Sequence, residues 1–434
     1  MTARFSPGMR AFVGAYGLLW KGARPLLRRH KRLCDDFAER LVPASWELPE
    51  PVDVWIQAAS GGEAYLARQL LVEVGDLERT GRFLCTSCTR QGLETLRSPM
   101  PTPFPVATRV FPLDDPACML RALESARPRL MVLLETELWP GLMAACAAHN
   151  VPIVVLNGRM TEKSLKGYRL LGSFWRTVSP RCVLATSEQD AERFAALFGR
   201  ECVSLMPNMK FDAVAPGSAA TSGKGAQAVA ALLPPSFPVI LLASVREQEE
   251  ALLAEAITLL KSNAPEAVIV VAPRHMERED AWRARLQTVK AEGRVLLRTA
   301  ALQNGEVAAG GDVLLWNAFG ELRDLYHRAD AVFVGGSLVP LGGQNFLEAA
   351  LAGAVPCVGP HWSNFTWVGK AFFDEGLGVC VDTVEELVAA LLAQLAAPRA
   401  RAARQAGAAA YVAPRRGGTR RAATLVAEIA VLPN

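Results

Sequence analysis

The stretch VDVWIQAASGGEAYLARQLL, Val52 to Leu71, runs from an apolar, β-rich segment through small residues into a helical pattern. A strand that ends in Ala58-Ala59-Ser60, turns at Gly61-Gly62 and enters a helix with Glu63 in its first turn reads as the opening of a βαβ unit. In open α/β sheets ligands bind at the carboxyl ends of strands, so Glu63 is placed to face such a crevice. The positive end of the helix lowers the pKa of that carboxyl, while burial raises it. The turn lacks the G-x-G-x-x-G of a dinucleotide oxidoreductase. A carboxylate standing where a phosphate cradle would sit points to a base rather than a nucleotide clamp.

The alternation continues along the chain. GRFLCTSC, LMVLLET, PIVVLN and RCVLATS repeat the short apolar run at helix-length intervals. The segment APGSAATSGKGAQAV, Ala215 to Val229, has no periodicity and reads as a linker. Strand-like runs then resume with FPVILLAS, AVIVVAP, RVLLRT, DVLLWN, ADAVFVGG and AVPCVGP. These runs predict an α/β protein of two doubly wound, Rossmann-like domains in series. The expected divisions are a basic N-terminal segment (1–32), a first domain (33–214), a linker (215–236), a second domain (237–398) and an Ala/Arg-rich helical tail (399–434). Periodicity does not say which domain the tail covers.

A length of 434 residues, with 51% hydrophobic and 21% charged residues, fits two folded cores. A net charge of +4 does not describe a nucleic-acid binder. Nine cysteines without repeated spacing suit a reducing compartment, and the lone C-x-x-C of Cys85 and Cys88 reads as core thiols beside a strand. The uncharged run Ala11–Trp20 is about half the ~20 residues that a spanning helix needs. It is followed by Lys21, Arg24, Arg28, Arg29, Lys31 and Arg32, a pattern that fits a helix lying on an anionic membrane surface.

Polar residues cluster at successive strand ends. LLETELWPGL places Glu135 and Glu137 beside a Trp-Pro turn, where they could bind a polyhydroxylated acceptor or position a base. LNGRMTEKSLKGYRLLG adds Asn157, Arg159 and Ser164. In the second half, LLASVREQEE supplies Ser244 and Arg246, and VVAPRHMERE supplies Arg274 and His275, typical anion or base contacts. FVGGSLVPLGGQNFLEAA carries Gly335, Gly336, Gly342 and Gly343, then Gln344 and Asn345 at an expected helix start and Glu348 one turn in. The expectation is a nucleotide phosphate seated on that helix N-terminus, with Glu348 near ribose hydroxyls. A Cβ at Gly343 would then block ligand more than it disturbs the fold.

The blocks AASGGEA (with Ser60), ETELWPGL, NGRMTEKSLKGY, NMKFD, PRHMER, GELRDLY, FVGGSLVPLGGQNFLEAA and GPHWSNF, taken in order, resemble the 3-deoxy-D-manno-octulosonic acid (Kdo) transferases, inverting glycosyltransferases of the GT-B type. The resemblance implies two Rossmann-like domains with a cleft between them and transfer of Kdo from CMP-Kdo to a lipid A precursor (lipid IVA) in lipopolysaccharide biosynthesis. It implies that Glu63 is the general base, that Arg274, Gly320-Glu321, Asn345 and Glu348 lie around CMP, and that Lys210 lies near the cleft. It further implies no cofactor or metal, no nucleic-acid partner, and a place on the cytoplasmic side of the inner membrane. The family usually has His where Gln57, Arg246 and Gln344 stand here, and neither Gln nor Arg reproduces a titrating imidazole. The alternatives are a GT-B transferase using another nucleotide sugar and a catalytically silent sugar-nucleotide-binding protein.

Overall fold

A computed structural model describes residues 5–30, 33, 36–42, 46, 48–214, 223–289, 293–396 and 401–432. Lys31 and Arg32 of the basic cluster, residues 215–222 of the expected linker and residues 399–400 of the expected tail lie outside the described residues. The chain divides into two units, Met1–Ala213 with Arg415–Asn434, and Val214–Pro414.

Among the described residues the first unit is built on seven strands: β1 (Val54–Gln57), β2 (Phe83–Ser87), β3 (Val106–Val110), β4 (Leu130–Leu134), β5 (Ile153–Gly158), β6 (Cys182–Ala185) and β7 (Val203–Leu205). They pair in parallel in the spatial order 3-2-1-4-5-6-7. Strands covered on both faces read as continuous apolar runs, as β1 and β4 do. Successive side chains still alternate between faces. Val54 and Ile56 enter one core with Leu130 and Val132, and Trp55 enters the opposite core with Met131 and Leu133.

The two chain ends help cover those faces. The helix Pro7–Leu27, capped by Ser6 Oγ accepting from the Met9 N–H at 3.2 Å, follows Phe5 and places Met9 and Val13 in the Trp55 core. Tyr16 Oη donates to Asp114 Oδ2 at 2.9 Å, and Arg24 pairs with Asp115. The basic segment therefore packs on its own unit. Leu18, Leu19 and Leu26 nonetheless stay exposed, at 69%, 71% and 74%. On the other face, the helix Gly418–Ala430 inserts Ala422, Ala423, Val426 and Ala430 into the Val54 core against the helix Gly61–Asp76. Its start is fixed by Asp212, which accepts from the N–H groups of Gly417 and Thr419, both at 2.7 Å, and from Thr419 Oγ1 at 2.8 Å.

The second unit repeats the architecture with β8 (Val239–Val245), β9 (Val268–Pro273), β10 (Val295–Leu297), β11 (Val313–Leu315), β12 (Ala331–Val334), β13 (Pro356–Val358) and β14 (Val379–Cys380), all parallel in the order 10-11-9-8-12-13-14. The helix Arg401–Val412 belongs here: Arg401 Nη1 donates to the carbonyls of Tyr326 and Ala352 at 3.0 and 2.9 Å, and Tyr411 Oη to that of Val368 at 2.7 Å. The expected single tail is thus two helices shared between the units.

Two further expectations are corrected. Lys224–Leu232, placed in the linker, is an α-helix with Ala228, Val229 and Leu232 buried. Its alanines are strong helix formers that a glycine-and-serine reading passes over. Strands β3, β7 and β14 were not expected. All three lie at sheet edges, where partial exposure leaves no continuous apolar run to read.

Asp212→Ala should destabilise the first unit by about 1–2 kcal/mol, because the C-terminal helix loses its cap. A urea titration would show this as a lower midpoint at unchanged slope. An unchanged midpoint would mean that the helix needs no such anchor.

Candidate active site

At the end of β1 the backbone stays extended through Ser60 (φ −124°), whose Oγ accepts from the Glu63 N–H at 3.3 Å. Glu63 folds back over the helix start. Its Oε1 accepts from Ser60 Oγ at 3.0 Å and its Oε2 from the Ala59 N–H at 2.7 Å. Burial pushes this carboxyl from an ordinary 4.5 up to about 7. The negative charges of Glu137 and Glu135 act in the same direction, and the bonds from Ala59 and Ser60 only partly offset them. Desolvation therefore prevails over the helix dipole, and the result is a carboxyl able to exchange a proton near neutrality.

Glu135 follows β4 and Asn157 lies near the end of β5, both with φ of +56°, a left-handed conformation that non-glycine residues rarely adopt and that collects at functional sites. Glu135 Oε1 accepts from Lys210 Nζ at 2.6 Å, with Arg159 Nη1 at 3.9 Å. Glu137 Oε2 accepts from Trp139 Nε1 at 2.6 Å; burial raises its pKa, and hydrogen bonds from Trp139 and Gln57 oppose the rise. Gln57 is itself buried, its Oε1 accepting from Thr86 Oγ1 at 2.6 Å while its Nε2 donates to Cys88 Sγ at 3.3 Å. One expected acceptor contact is corrected. Asn157 is completely buried and its Oδ1 accepts from the Met209 N–H at 2.9 Å, so it sets the turn that presents Lys210. Ser164, also singled out, donates its N–H to Thr161 Oγ1 at 3.1 Å as part of a helix cap.

The second unit holds a pocket of about 200 Å³ at the carboxyl ends of β8, β9 and β11. Of the expected residues, Ser244 (φ +52°), Arg274, Gly320 (φ +84°) and Glu348 line it. The Arg274 guanidinium lies 6.0 Å over the Phe319 ring, and among the described residues it makes no hydrogen bond or close ion pair. Glu348 accepts from Asn345 Nδ2 at 2.7 Å. Burial raises its pKa, while that bond and the charges of Arg323 and Arg274 lower it. Trp316, Phe319 and Arg323 line the pocket without having been expected there. Trp316 directly follows β11, and the strand-end rule applied to DVLLW would have found it.

Other expectations for this unit change. Glu321 does not face the pocket; it accepts from Arg298 Nη2 at 2.6 Å and Trp316 Nε1 at 3.0 Å. His275 stands outside the lining beside Glu277, and Arg246 starts the turn Glu247–Glu249. The helix expected to begin at Gln344 begins at Leu347 and has only five residues. Gly342 and Gly343, with φ of +90° and +81°, have an internal reason to be glycine. A Cβ on Gly342 would run into Asn364, and one on Gly343 would stand 3.1 Å from Trp362 Cα. A side chain at Gly343 therefore disturbs the fold directly, against the expectation that it would block ligand more than it disturbs the fold.

Two all-parallel, seven-stranded sheets with helices around them give the chain the two-domain α/β fold of the GT-B type. A glycosyltransferase from Rickettsia africae has the same fold, with a TM-score of 0.59 over 88% of this chain and 99% of that one at 13% identity. The family model for 3-deoxy-D-manno-octulosonic-acid transferase matches residues 35–213. The 3-deoxy-D-manno-octulosonic acid transferase of Bordetella pertussis is 32% identical over 94% of this chain and 97% of its own length. That of Haemophilus influenzae is 27% identical over 79% and 80%. The chain belongs to the 3-deoxy-D-manno-octulosonic acid (Kdo) transferase family.

The Glu63 shift has a consequence for stability. Between pH 4.5 and about 7 the folded chain holds a proton that the unfolded chain has released, so ionisation of this group makes stability fall as pH rises through that window. Glu63→Gln should remove this component. Melting curves recorded across the window should show the wild type losing stability relative to the variant, and a constant offset would mean that Glu63 titrates as an ordinary carboxyl.

Proposed function

We propose that the chain transfers Kdo from CMP-Kdo to a lipid A precursor in lipopolysaccharide biosynthesis, with inversion, and that Glu63 is the general base. The carrying observation is the Glu63 carboxyl itself: at a strand end, beside Glu135 and Glu137, with its pKa raised to about 7. Glu63 takes the proton of the acceptor hydroxyl as that oxygen bonds to the anomeric carbon of the sugar. The bond from that carbon to the phosphate oxygen breaks, CMP leaves with the electron pair, and the proton passes from Glu63 to solvent. Arg274 in the pocket of the second unit supplies positive charge for the departing phosphate. Lys210 neutralises Glu135, so the charge left beside Glu63 is mainly that of Glu137.

Docking to the cytoplasmic face of the inner membrane belongs to the same proposal. No helix among the described residues is long and apolar enough to cross a membrane. Exposed Leu18, Leu19 and Leu26 stand on a helix that also exposes Lys21, with Arg28 and Arg29 exposed just beyond its end, the composition of a helix lying in an anionic interface.

Glu63→Gln should keep CMP binding and lower transfer by at least about a hundredfold, since base catalysis contributes roughly 10²–10⁴; near-normal turnover would overturn the assignment. Titration calorimetry should show CMP bound in preference to UDP, and Arg274→Ala should weaken CMP by about tenfold or more. Preference for UDP would favour a transferase using another nucleotide sugar. For the membrane, deleting the helix would strip Met9 and Val13 from the core, so the cleaner variant is Leu18→Glu with Leu19→Glu. It should lose co-sedimentation with anionic vesicles while melting normally, and unchanged co-sedimentation would refute the docking surface.

A further inference from the structure

After β8 the chain turns through Glu247–Glu249 and enters the helix Glu250–Asn263. Two consecutive carboxylates at that junction are buried, Glu249 at 0% exposure and Glu250 at 1%. We propose that Glu249 and Glu250 pre-form the nucleotide pocket of the second unit, one by holding the Gly336–Leu338 turn and the other by holding the Arg274–Arg278 loop. The inference rests on the donor-pocket reading of Proposed function.

Glu249 accepts backbone N–H groups from two segments. Oε2 accepts from Arg246 at 3.1 Å and Gly336 at 2.6 Å, and Oε1 accepts from Ser337 at 2.9 Å and Leu338 at 3.0 Å. The glycine-rich loop that the sequence offers to an external phosphate thus already holds an anion in its first turn, and that anion comes from within the chain. Gly335 has to be glycine for this approach, since a Cβ there would stand 2.7 Å from the Ser244 carbonyl and 3.0 Å from Glu249 Oε2. The held turn in its turn positions the rest of the loop. The Gly336 carbonyl accepts from the Gly343 N–H at 2.7 Å, just before the Asn345–Glu348 pair at the pocket.

Glu250 faces the other loop. Its two oxygens accept from Arg278 Nε and Nη2, both at 2.9 Å, and Arg285 Nε stands 3.8 Å away. Arg278 also reaches Glu247 Oε1 at 3.1 Å. This two-point grip closes the loop whose earlier residues Arg274 and Met276 line the pocket. Burying a carboxylate is costly even when it is paired, and well-packed apolar residues would hold a core at least as well. What the acids add is position: a carboxylate accepts several N–H groups at once, and an alkyl chain accepts none. Both are positioning residues, since neither lines the pocket.

The test uses the full chain and CMP as the probe. Glu249→Gln turns an N–H₂ group toward N–H groups, and Glu250→Gln breaks the grip on Arg278. Each should weaken CMP by at least about tenfold, or ~1.4 kcal/mol. Hydrogen exchange without nucleotide separates positioning from general destabilisation. Glu249→Gln should lose amide protection at Gly336–Leu338 and keep it across Arg274–Arg278, and Glu250→Gln should do the reverse. If either glutamine variant fails to fold, Glu249→Asp and Arg278→Lys impose milder forms of the same two losses. Equal loss of protection in both loops, or CMP affinity unchanged in the folded variants, would overturn the proposal. Failure of the wild type to bind CMP would refute the donor reading instead, and the exchange pattern, read without nucleotide, would still judge the two carboxylates.

Discussion

A parallel strand can be reached from its neighbour only by a crossover, and each sheet here is entirely parallel. Every strand in a sheet therefore ends on one edge, and every strand-to-helix turn is delivered there. The spatial order then opens a crevice where the winding reverses, between β1 and β4 in the first unit and between β8 and β12 in the second. Glu63 follows β1 and Glu135 and Glu137 follow β4; Ser244 belongs to β8 and the glycine-rich loop follows β12. The chemistry of both units depends on that single topological constraint.

Within the first unit, the outcome at Glu63 is decided by magnitude. A helix N-terminus favours a nearby carboxylate by about 0.3–1 kcal/mol. A rise from 4.5 to about 7 corresponds to something on the order of 3 kcal/mol against the charged form. Burial beside Glu137 wins, and Gln57 contributes by favouring the charged form of Glu137. Trp55 Nε1 donates to Thr86 Oγ1 at 2.8 Å and Thr86 donates to the Gln57 oxygen, which leaves the Gln57 amide nitrogen to face Cys88 and Glu137. A side chain that does not titrate thus occupies a position where a histidine would add its own charge to the balance.

The second unit treats its acids differently. Glu249, Glu250 and Glu321 are each consumed by bonds to backbone or arginine, and Glu348 stays at the pocket with Asn345 on one oxygen. Four carboxylates near one pocket have four separate duties, set by which donors reach each of them. Arg274 is distinguished in the same way: Arg278 and Arg298 are committed to carboxylates, while the Arg274 guanidinium makes no hydrogen bond or close ion pair among the described residues.

The order of buried strands and the residues at their ends were legible in the sequence, because burial on both faces writes an uninterrupted apolar run and the turn after it must sit on the binding edge. Glu63, Glu135, Glu137 and Arg274 were placed after strands in that way. Edge strands β3, β7 and β14 were not, since one side of each meets solvent and the run is broken. Nor was the division of the tail, because alanine-rich helices such as Arg401–Val412 and Gly418–Ala430 look alike until Arg401 and Asp212 bind each to a different unit. The sequence by itself determined which side chains stand at strand ends. Only the tertiary structure decided which face a site and which serve the scaffold. Asn157 and Glu249 ended in the interior, and Glu63 kept a shifted proton, because desolvation and hydrogen-bond partners are assembled from segments far apart in the chain.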